Sequence, residues 1–433
     1  MKNYKFFLEV FLLCLSTLTL IFVRSFQGVY LKDVRIGEVY VAIFFVLTLY
    51  YSFKLINDFV GKNNLNNTSK AYLLIILSFF LSLIFYQADF LSAYNYKSGS
   101  YILVIASFFL AKKMNIFHNS KRLLIFNLIV SILVFFFSVI YYPNILRLFF
   151  EQYADKFEMH TGADILLVII LLTFSVGFSS LSYFRKIIII SLSWGFYYPL
   201  IAFKSRSALV IFTIFTILYF YQFIKKDYSV KKIVLFFTLF LMIFNLSIFL
   251  IGNSNVLKQP NENTTFLDIL NYRNQPYLEN QLRDDGSIPF LYIYNSRVYS
   301  GDGNFNWRLQ IWQDVYEDTS SSLTQLFFGI GYSETIPAMN NPDRRGIDGL
   351  NENVHNSFVN IFARGGVVQL LIFIYFYISI VKNYKSSFGN YWILLFLLPI
   401  LANSLFTASM ENSHFPIIFY YFLGIISQKK FQT

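Results

Sequence analysis

Three side chains stand out as groups that could do chemistry. Arg206 sits in Lys204-Ser205-Arg206-Ser207, between two apolar runs with almost no loop to separate them. A guanidinium at that depth is costly unless an anion pairs with it or its stem snorkels to the membrane surface. Arg308 lies in Asn304-Phe305-Asn306-Trp307-Arg308-Leu309-Gln310-Ile311-Trp312. Trp307, Ile311, Trp312 and Val315 recur at helical spacing, which predicts an amphipathic helix from Asn306, capped by Asn304 or Asn306, with Arg308 one turn in. A helix start carries partial positive charge and suits an anion such as phosphate. An ordinary solvated arginine is the plainer reading. His355 stands in Asn353-Val354-His355-Asn356-Ser357, directly before a long apolar run, where Asn356 and Ser357 can cap the next helix. It is one of 4 histidines. Imidazole is the side chain best suited to general-base work near neutral pH, although a lone histidine at a helix start is more often structural.

The elements that must position these groups are membrane spans. Of 433 residues, 56% are hydrophobic and only 14% charged, against about a quarter charged in soluble domains. The apolar residues gather in runs of roughly 17–20, the length needed to cross a bilayer as a helix. Candidate spans fall at 6–23, 39–56, 71–87, 98–111, 123–142, 164–181, 187–203, 207–224, 233–251, 358–381, 391–409 and 415–427. They predict an all-α polytopic membrane protein with about twelve transmembrane helices. The first run follows Lys2 and Lys5 but continues into Arg24-Ser25-Phe26-Gln27 instead of a small-residue cleavage site, so it reads as a retained helix.

Charge tests that count. With the N-terminus in the cytoplasm, the inside segments hold nineteen Lys/Arg: Lys2, Lys5, Lys54, Lys62, Lys70, Lys112, Lys113, Lys121, Arg122, Arg185, Lys186, Lys225, Lys226, Lys231, Lys232, Lys382, Lys385, Lys429 and Lys430. The short outside loops hold eight: Arg24, Lys32, Arg35, Lys97, Arg147, Lys156, Lys204 and Arg206. The positive-inside rule thus supports an even count with both termini cytoplasmic. The net charge of +11 follows from this asymmetry, so the bilayer is the expected partner and no nucleic acid is. The single cysteine, Cys14, falls in the first apolar run, where a buried thiol packing as a small hydrophobe is the default.

Residues 252–357 contain no run long enough to span and face outward in this topology. The chain therefore divides into an N-terminal bundle (1–251), a large outer loop (252–357) and C-terminal helices (358–433). The loop holds thirteen Asp/Glu and seven Lys/Arg. It is asparagine-rich at its start (Asn253, Asn255, Asn261, Asn263) and then carries Tyr272, Tyr277, Tyr292, Tyr294 and Tyr299. A loop this long invites a functional explanation. Together the two arginines and the histidine share one side of the membrane. Two guanidinium forks could stabilise a departing diphosphate without a metal, and the histidine could take a proton from an attacking hydroxyl. Trp307, Trp312 and the loop tyrosines could stack on sugar rings, with membrane-interface aromatic belts as the plain alternative. Glu411 and His414, near the outer end of the last hairpin, form a second candidate pair. There is no Asp-x-Asp for a metal-bound nucleotide sugar, no phosphate-binding Gly-x-x-x-x-Gly-Lys and no histidine pair at metal-ligand spacing. Neither metal nor cofactor is expected.

The ordered set Ser205-Arg206-Ser207, Asn306-Trp307-Arg308-Leu309-Gln310-Ile311-Trp312, Phe328-Gly329-Ile330-Gly331 and His355-Asn356-Ser357-Phe358 resembles the O-antigen ligase and polymerase superfamily (Wzy and WaaL types). The resemblance covers about 200–381; the N-terminal half matches only as a series of spans. Asp343-Arg344-Arg345 matches no family feature. The resemblance implies a GT-C-like membrane architecture and a metal-independent, inverting glycosyltransferase of the inner membrane, with the large loop periplasmic. The implied donor is a glycan on undecaprenyl diphosphate. Arg206 and Arg308 would hold the diphosphate and His355 would orient or deprotonate the acceptor hydroxyl, with Trp307, Trp312, Asn356, Glu411 and His414 as substrate-binding candidates. A polymerase of O-antigen repeat units is favoured over a ligase transferring the chain to the lipid A core. The favouring features are again resemblance: the 53 Phe and 32 Tyr, and His-Asn-Ser-Phe without a second preceding histidine. A flippase for the same lipid-linked sugar is the contrasting class, and a non-catalytic scaffold the remaining one. A chain-length regulator is a candidate protein partner.

Overall fold

The computed structural model describes residues 2–61, 65–113, 119–140, 142–155, 157–224, 230–253, 290–345 and 351–429. Tyr272, Tyr277, Asn255, Asn261, Asn263, Lys62, Lys156, Lys225, Lys226 and Lys430 lie outside the described residues. Helices α1 (Lys2–Gln27), α2 (Ile36–Val60), α3 (Asn67–Phe85), α4 (Ala93–Ser98), α5 (Ser100–Leu103), α6 (Ala106–Ala111), α7 (Ser120–Ile140), α8 (Asn144–Tyr153), α9 (Gly162–Phe178), α10 (Tyr183–Lys204), α11 (Arg206–Ile224) and α12 (Val230–Gly252) come first. A short hairpin, β1 (Tyr30–Leu31) and β2 (Val34–Arg35), joins α1 to α2. After α12 come a second hairpin, β3 (Leu291–Tyr294) and β4 (Arg297–Ser300), then α13 (Gly303–Ser320), α14 (Leu323–Phe328), α15 (Ser357–Phe388), α16 (Ile393–Ser404) and α17 (His414–Ile426).

The protein is an all-α membrane protein. Among the described residues, 6 helices are long and apolar enough to cross a bilayer: α2, α3, α7, α10, α12 and α15. The other predicted spans fall on shorter apolar helices, Leu13–Gln27, Ser100–Ala111, Gly162–Phe178, Arg206–Gln222, Ile393–Ser404 and His414–Ile426. The run expected at 98–111 is broken at Val104-Ile105. There Ile105 N donates to Ile102 O at 3.1 Å and Ser107 N to Val104 O at 3.0 Å, the tighter i→i+3 pattern. At about 1.5 Å per residue this segment falls well short of a bilayer core about 30 Å thick. The run expected at 391–409 ends at Ser404, and the chain then turns, with Thr407 Oγ1 donating to Asn403 O at 3.1 Å. Cys14 is exposed on α1, not buried; in a bundle with apolar surroundings an outward face is as comfortable for a thiol as the core.

The chain forms two compact units, one of Met1–Ile76, Ser100–Lys258 and Tyr375–Thr433, the other of Leu77–Gly99 and Gln259–Ile374. The second unit thus joins the described part of the large loop to residues 77–99 and to the start of α15, cutting across a division in chain order.

In the first unit, α9 is buried on every face and α17 almost so, as expected of helices that are apolar all round. Around them α7 packs on α9, α10 on α12, α11 on α16 and α17 on α6. In contrast, α12 buries only 11% of its most apolar stretch and exposes Val234, Phe237, Leu241, Met242 and Phe249. Apolar surface of that extent is stable against lipid, not water. Two buried polar pairs cross between helices: Asn127 Nδ2 donates to Ser175 Oγ at 2.6 Å and Trp194 Nε1 to Thr173 Oγ1 at 3.1 Å.

The second unit is built on one face of α13. Asp302 caps this helix, its Oδ1 accepting from Phe305 N at 2.9 Å. The start therefore lies earlier than Asn304 or Asn306. Asn306 is instead one turn inside, and its Oδ1 accepts from Ser300 N at 2.9 Å, tying the hairpin to the helix. Ile311 and Val315 pack with Ile336, Ala338, Met339, Val354 and Ala363, and Trp307, Trp312, Ile330, Val359 and Phe362 lie against that core.

The Phe328-Gly329-Ile330-Gly331 motif crosses α15 where that helix kinks. Ile330 N donates to Ala363 O at 2.8 Å and Gly331 N to Arg364 O at 3.1 Å. Gly329 (φ +75°) and Gly366 (φ +65°) are both left-handed, and a Cβ on either would stand 2.3 Å from backbone of the other strand of the crossing, Arg364 C or Phe327 C. Gly329→Ala and Gly366→Ala are each expected to cost about 2 kcal/mol or more, from left-handed strain together with displaced backbone. Melting of the detergent-purified variants, compared with Gly389→Ala (φ +73°, with open space around its Cβ), separates the crossing from φ alone.

Candidate active site

In the second unit, Arg308 sits on α13 with Trp307 and Trp312 beside it in sequence, and His355 sits on the loop that leads into α15. Trp312 Nε1 donates to Val354 O at 2.8 Å, and Val354 is fully buried in the core. Asn356 Oδ1 accepts from Phe358 N at 3.0 Å and Val359 N at 3.2 Å, capping α15 as the sequence suggests. His355 is thus held from both sides, and it adopts φ +58°, a region few non-glycine residues enter. Such backbone strain persists where the surroundings over-determine it and clusters at functional sites. The Trp307 ring meets the imidazole edge-on, with centroids 5.1 Å apart. Asn351 Nδ2 lies 3.2 Å from His355 Nε2.

Burial pushes the His355 imidazole down to about 4, and the Arg308 guanidinium adds to the shift. The ring is therefore neutral at ordinary pH and a weak base for proton abstraction, since efficient bases titrate near the working pH. The structure accordingly brings together Trp307, Arg308, Trp312, His355 and Asn356. Trp312 spends its indole N–H on the protein, whereas Trp307 stays at the imidazole.

Neighbouring charges are committed to the scaffold. Asp314 holds both Arg297 and Arg344. Arg344 Nη1 also donates to Ala338 O at 3.2 Å and Arg345 Nε to Met339 O at 2.9 Å, so the arginines of the unmatched Asp343-Arg344-Arg345 segment pin the loop between α14 and α15. Glu352 accepts from Lys97 Nζ at 2.9 Å and Tyr94 Oη at 3.3 Å, fixing the strand that carries Asn351 and His355. Arg364 is buried and gives its Nη1 to the carbonyls of Gly331 and Glu334.

Arg206, Glu411 and His414 belong to the first unit. Arg206 is the exposed first residue of α11. The preceding Ser205 packs against Gly162 so closely that a Cβ there would lie 2.3 Å from Ser205 Cβ. Glu411 is buried, in the turn before α17. His414, the first residue of α17, lies in the field of Asp164, Arg24 and Glu158. Asp164 closes the N-terminus of α9 through Thr161, accepting from its N at 2.9 Å and its Oγ1 at 2.7 Å. His160, 1% exposed, directs Nε2 at Leu20 O, 3.2 Å away. This cluster was legible only in part: His160 is one of 4 histidines, and Asp164 opens a predicted span.

Residues 190–374 match the O-antigen ligase family (Wzy_C). Over this segment the chain is similar to the O-antigen ligase family, the superfamily its motifs resemble. The match takes in Arg206, Trp307, Arg308, Trp312, His355 and Asn356 and ends before Glu411 and His414. No curated protein matches the chain. The matched family is described as O-antigen ligase, and the match covers under half of this multi-pass membrane protein. Two site neighbours escaped the sequence reading. Asn351 carries a weak signal, an Asn-x-Asn step just before Val354-His355, and Arg364 a stronger one, a cation seven residues into an apolar helix.

The shifted imidazole has a thermodynamic consequence. The folded ring titrates at about 4 instead of 6.5, so the unfolded chain takes up this proton first as pH falls. Stability is therefore lost as pH drops from about 6.5 towards 4. His355→Asn, which does not titrate and tolerates left-handed φ, is expected to lessen that slope in melting temperatures measured across the window.

Proposed function

We propose that the protein is an O-antigen or polysaccharide polymerase. It joins undecaprenyl-diphosphate-linked oligosaccharide repeat units on the periplasmic face of the inner membrane. The observation that carries the reading is Arg308 acting on a strained, neutral His355 inside the segment that matches the glycosyl-transferring family. An always-charged guanidinium one turn into a helix is suited to phosphate oxygens. In this reading an acceptor hydroxyl attacks the anomeric carbon with inversion. The anomeric C–O bond breaks, and its electron pair goes to the diphosphate. Arg308 stabilises the departing anion by charge and needs no metal, while Arg206 remains a catalytic candidate from the sequence alone. Both termini lie in the cytoplasm, as the basic loops suggest. Ligation of the finished chain to the lipid A core is the second reading, favoured by the family's own description as ligase; it uses the same donor.

Arg206→Ala, Arg308→Ala and His355→Ala are each expected to lower product at least about a hundredfold, the scale for removing one donor to a developing charge, with membrane insertion unchanged. The surface-glycan ladder of a strain lacking the gene, complemented with each variant, measures this. Core plus one repeat in the uncomplemented strain supports the polymerase. Bare core with long chains on the lipid carrier assigns the ligase. Repeats trapped on the cytoplasmic face point to a flippase, and wild-type ladders from all three variants contradict a catalytic role.

A further inference from the structure

We propose that His355 works as a neutral Nδ1–H donor to the diphosphate of the donor substrate, with Asn351 as the positioning residue that fixes this tautomer. The inference rests on the glycan-transfer reading above and names a role for one of its residues.

The geometry begins with the Asn351 amide. Its Oδ1 accepts from Asn353 N at 3.1 Å. A backbone N–H can only donate, so the carbonyl end of the amide is identified and the NH2 end must point the other way. That NH2 group lies 3.2 Å from His355 Nε2. An amide NH2 can only donate, so Nε2 accepts and carries no proton. In a neutral imidazole the proton then resides on Nδ1. Nδ1 makes no hydrogen bond among the described residues, which leaves its N–H available to a substrate.

The electrostatics agree. The charged group that acts on the ring is Arg308 on α13; on the loop side Glu352 is engaged with Lys97, and the ring's other neighbour is the uncharged Trp307. Arg308 opposes protonation of Nε2, so the free site holds one cation and one neutral donor instead of two repelling cations. Both then converge on an anion. The reaction balances without an imidazole base: the acceptor oxygen bonds to the anomeric carbon, the bond to diphosphate breaks with its electron pair on the diphosphate, and the hydroxyl proton passes to water. The His355 proton stays on Nδ1 throughout, donated in a hydrogen bond that strengthens as charge develops. Left-handed φ at His355 orients the ring, and the hold on Val354 by Trp312 maintains it.

The test has a structural and a kinetic arm, both on the full-length protein. Nitrogen-15 spectra of histidine-labelled protein in micelles at about pH 7.5, where an unperturbed imidazole is also neutral, identify which ring nitrogen carries the proton. The His355 signals are assigned by their loss in His355→Asn. A protonated Nδ1 is expected in the wild type, and Asn351→Asp, whose carboxylate accepts, should move the proton to Nε2. A wild-type ring protonated on Nε2 overturns the proposal without any reference to activity. In the kinetic arm, Asn places its amide nitrogen where Nδ1 stood, whereas Gln places it near Nε2. His355→Asn should retain transfer to within about tenfold of wild type while His355→Gln and His355→Ala fall about a hundredfold or more. The wild-type rate should show no imidazole limb between about pH 6 and 8. If His355→Ala is inactive and His355→Asn no better, the donor role falls and the transfer reading stands. If no His355 variant alters transfer, the assignment of this residue to the site falls as well.

Discussion

The second unit depends on the burial of one face of α13. Ile311 and Val315 close a core with Val354 and Ala363, residues far away in sequence. That packing places Trp312 where its indole reaches the Val354 carbonyl, and Val354 immediately precedes His355. The same helix carries Trp307 and Arg308 one to two turns earlier. A hydrophobic contact thus sets the spacing between a cation and an imidazole. Each fully buried aliphatic side chain in such a core contributes about 1.5–3 kcal/mol, enough for several together to hold His355 in a left-handed conformation that costs about 1–3 kcal/mol.

The crossing of Phe328-Gly329-Ile330-Gly331 over the kinked α15 is the second constraint. Two backbones approach so closely that neither Gly329 nor Gly366 has room for a side chain. Arg364 adds a buried cation whose partners are carbonyls, Gly331 O and Glu334 O, not a carboxylate. The arginine therefore seals the loop between α14 and α15 against the helix. Further along that loop, Arg344 pairs with Asp314 on α13 and Arg345 donates to the Met339 carbonyl.

The apolar runs were legible because lipid imposes both length and composition on a spanning helix. Their ends were less so: nothing in the composition of 98–111 reports that Val104-Ile105 switches to i→i+3 bonding. The α13 helix was visible from its period, yet its cap was assigned to asparagine when Asp302, followed by glycine, does the work. Arg308 and His355 could be named from residue type and position. Their interplay could not, because it depends on Val354 docking on a helix some forty residues earlier. The tautomer of His355 was also hidden. It follows from Asn351 folding back on the ring, which a positive φ at His355 accompanies. The glycines of the Phe328-Gly329-Ile330-Gly331 motif were recognisable, but their reason lies in Gly366, thirty-five or more residues away.

Glycosyl transfer from a lipid-linked diphosphate is the central claim. Its most direct test is reconstitution of the full-length protein in liposomes with undecaprenyl-diphosphate-linked repeat units as the only substrate. The account predicts glycans of two or more units, one undecaprenyl diphosphate released for each new bond, and loss of both with Arg308→Ala. Passage of intact lipid-linked units across the bilayer with no new glycosidic bond would contradict it.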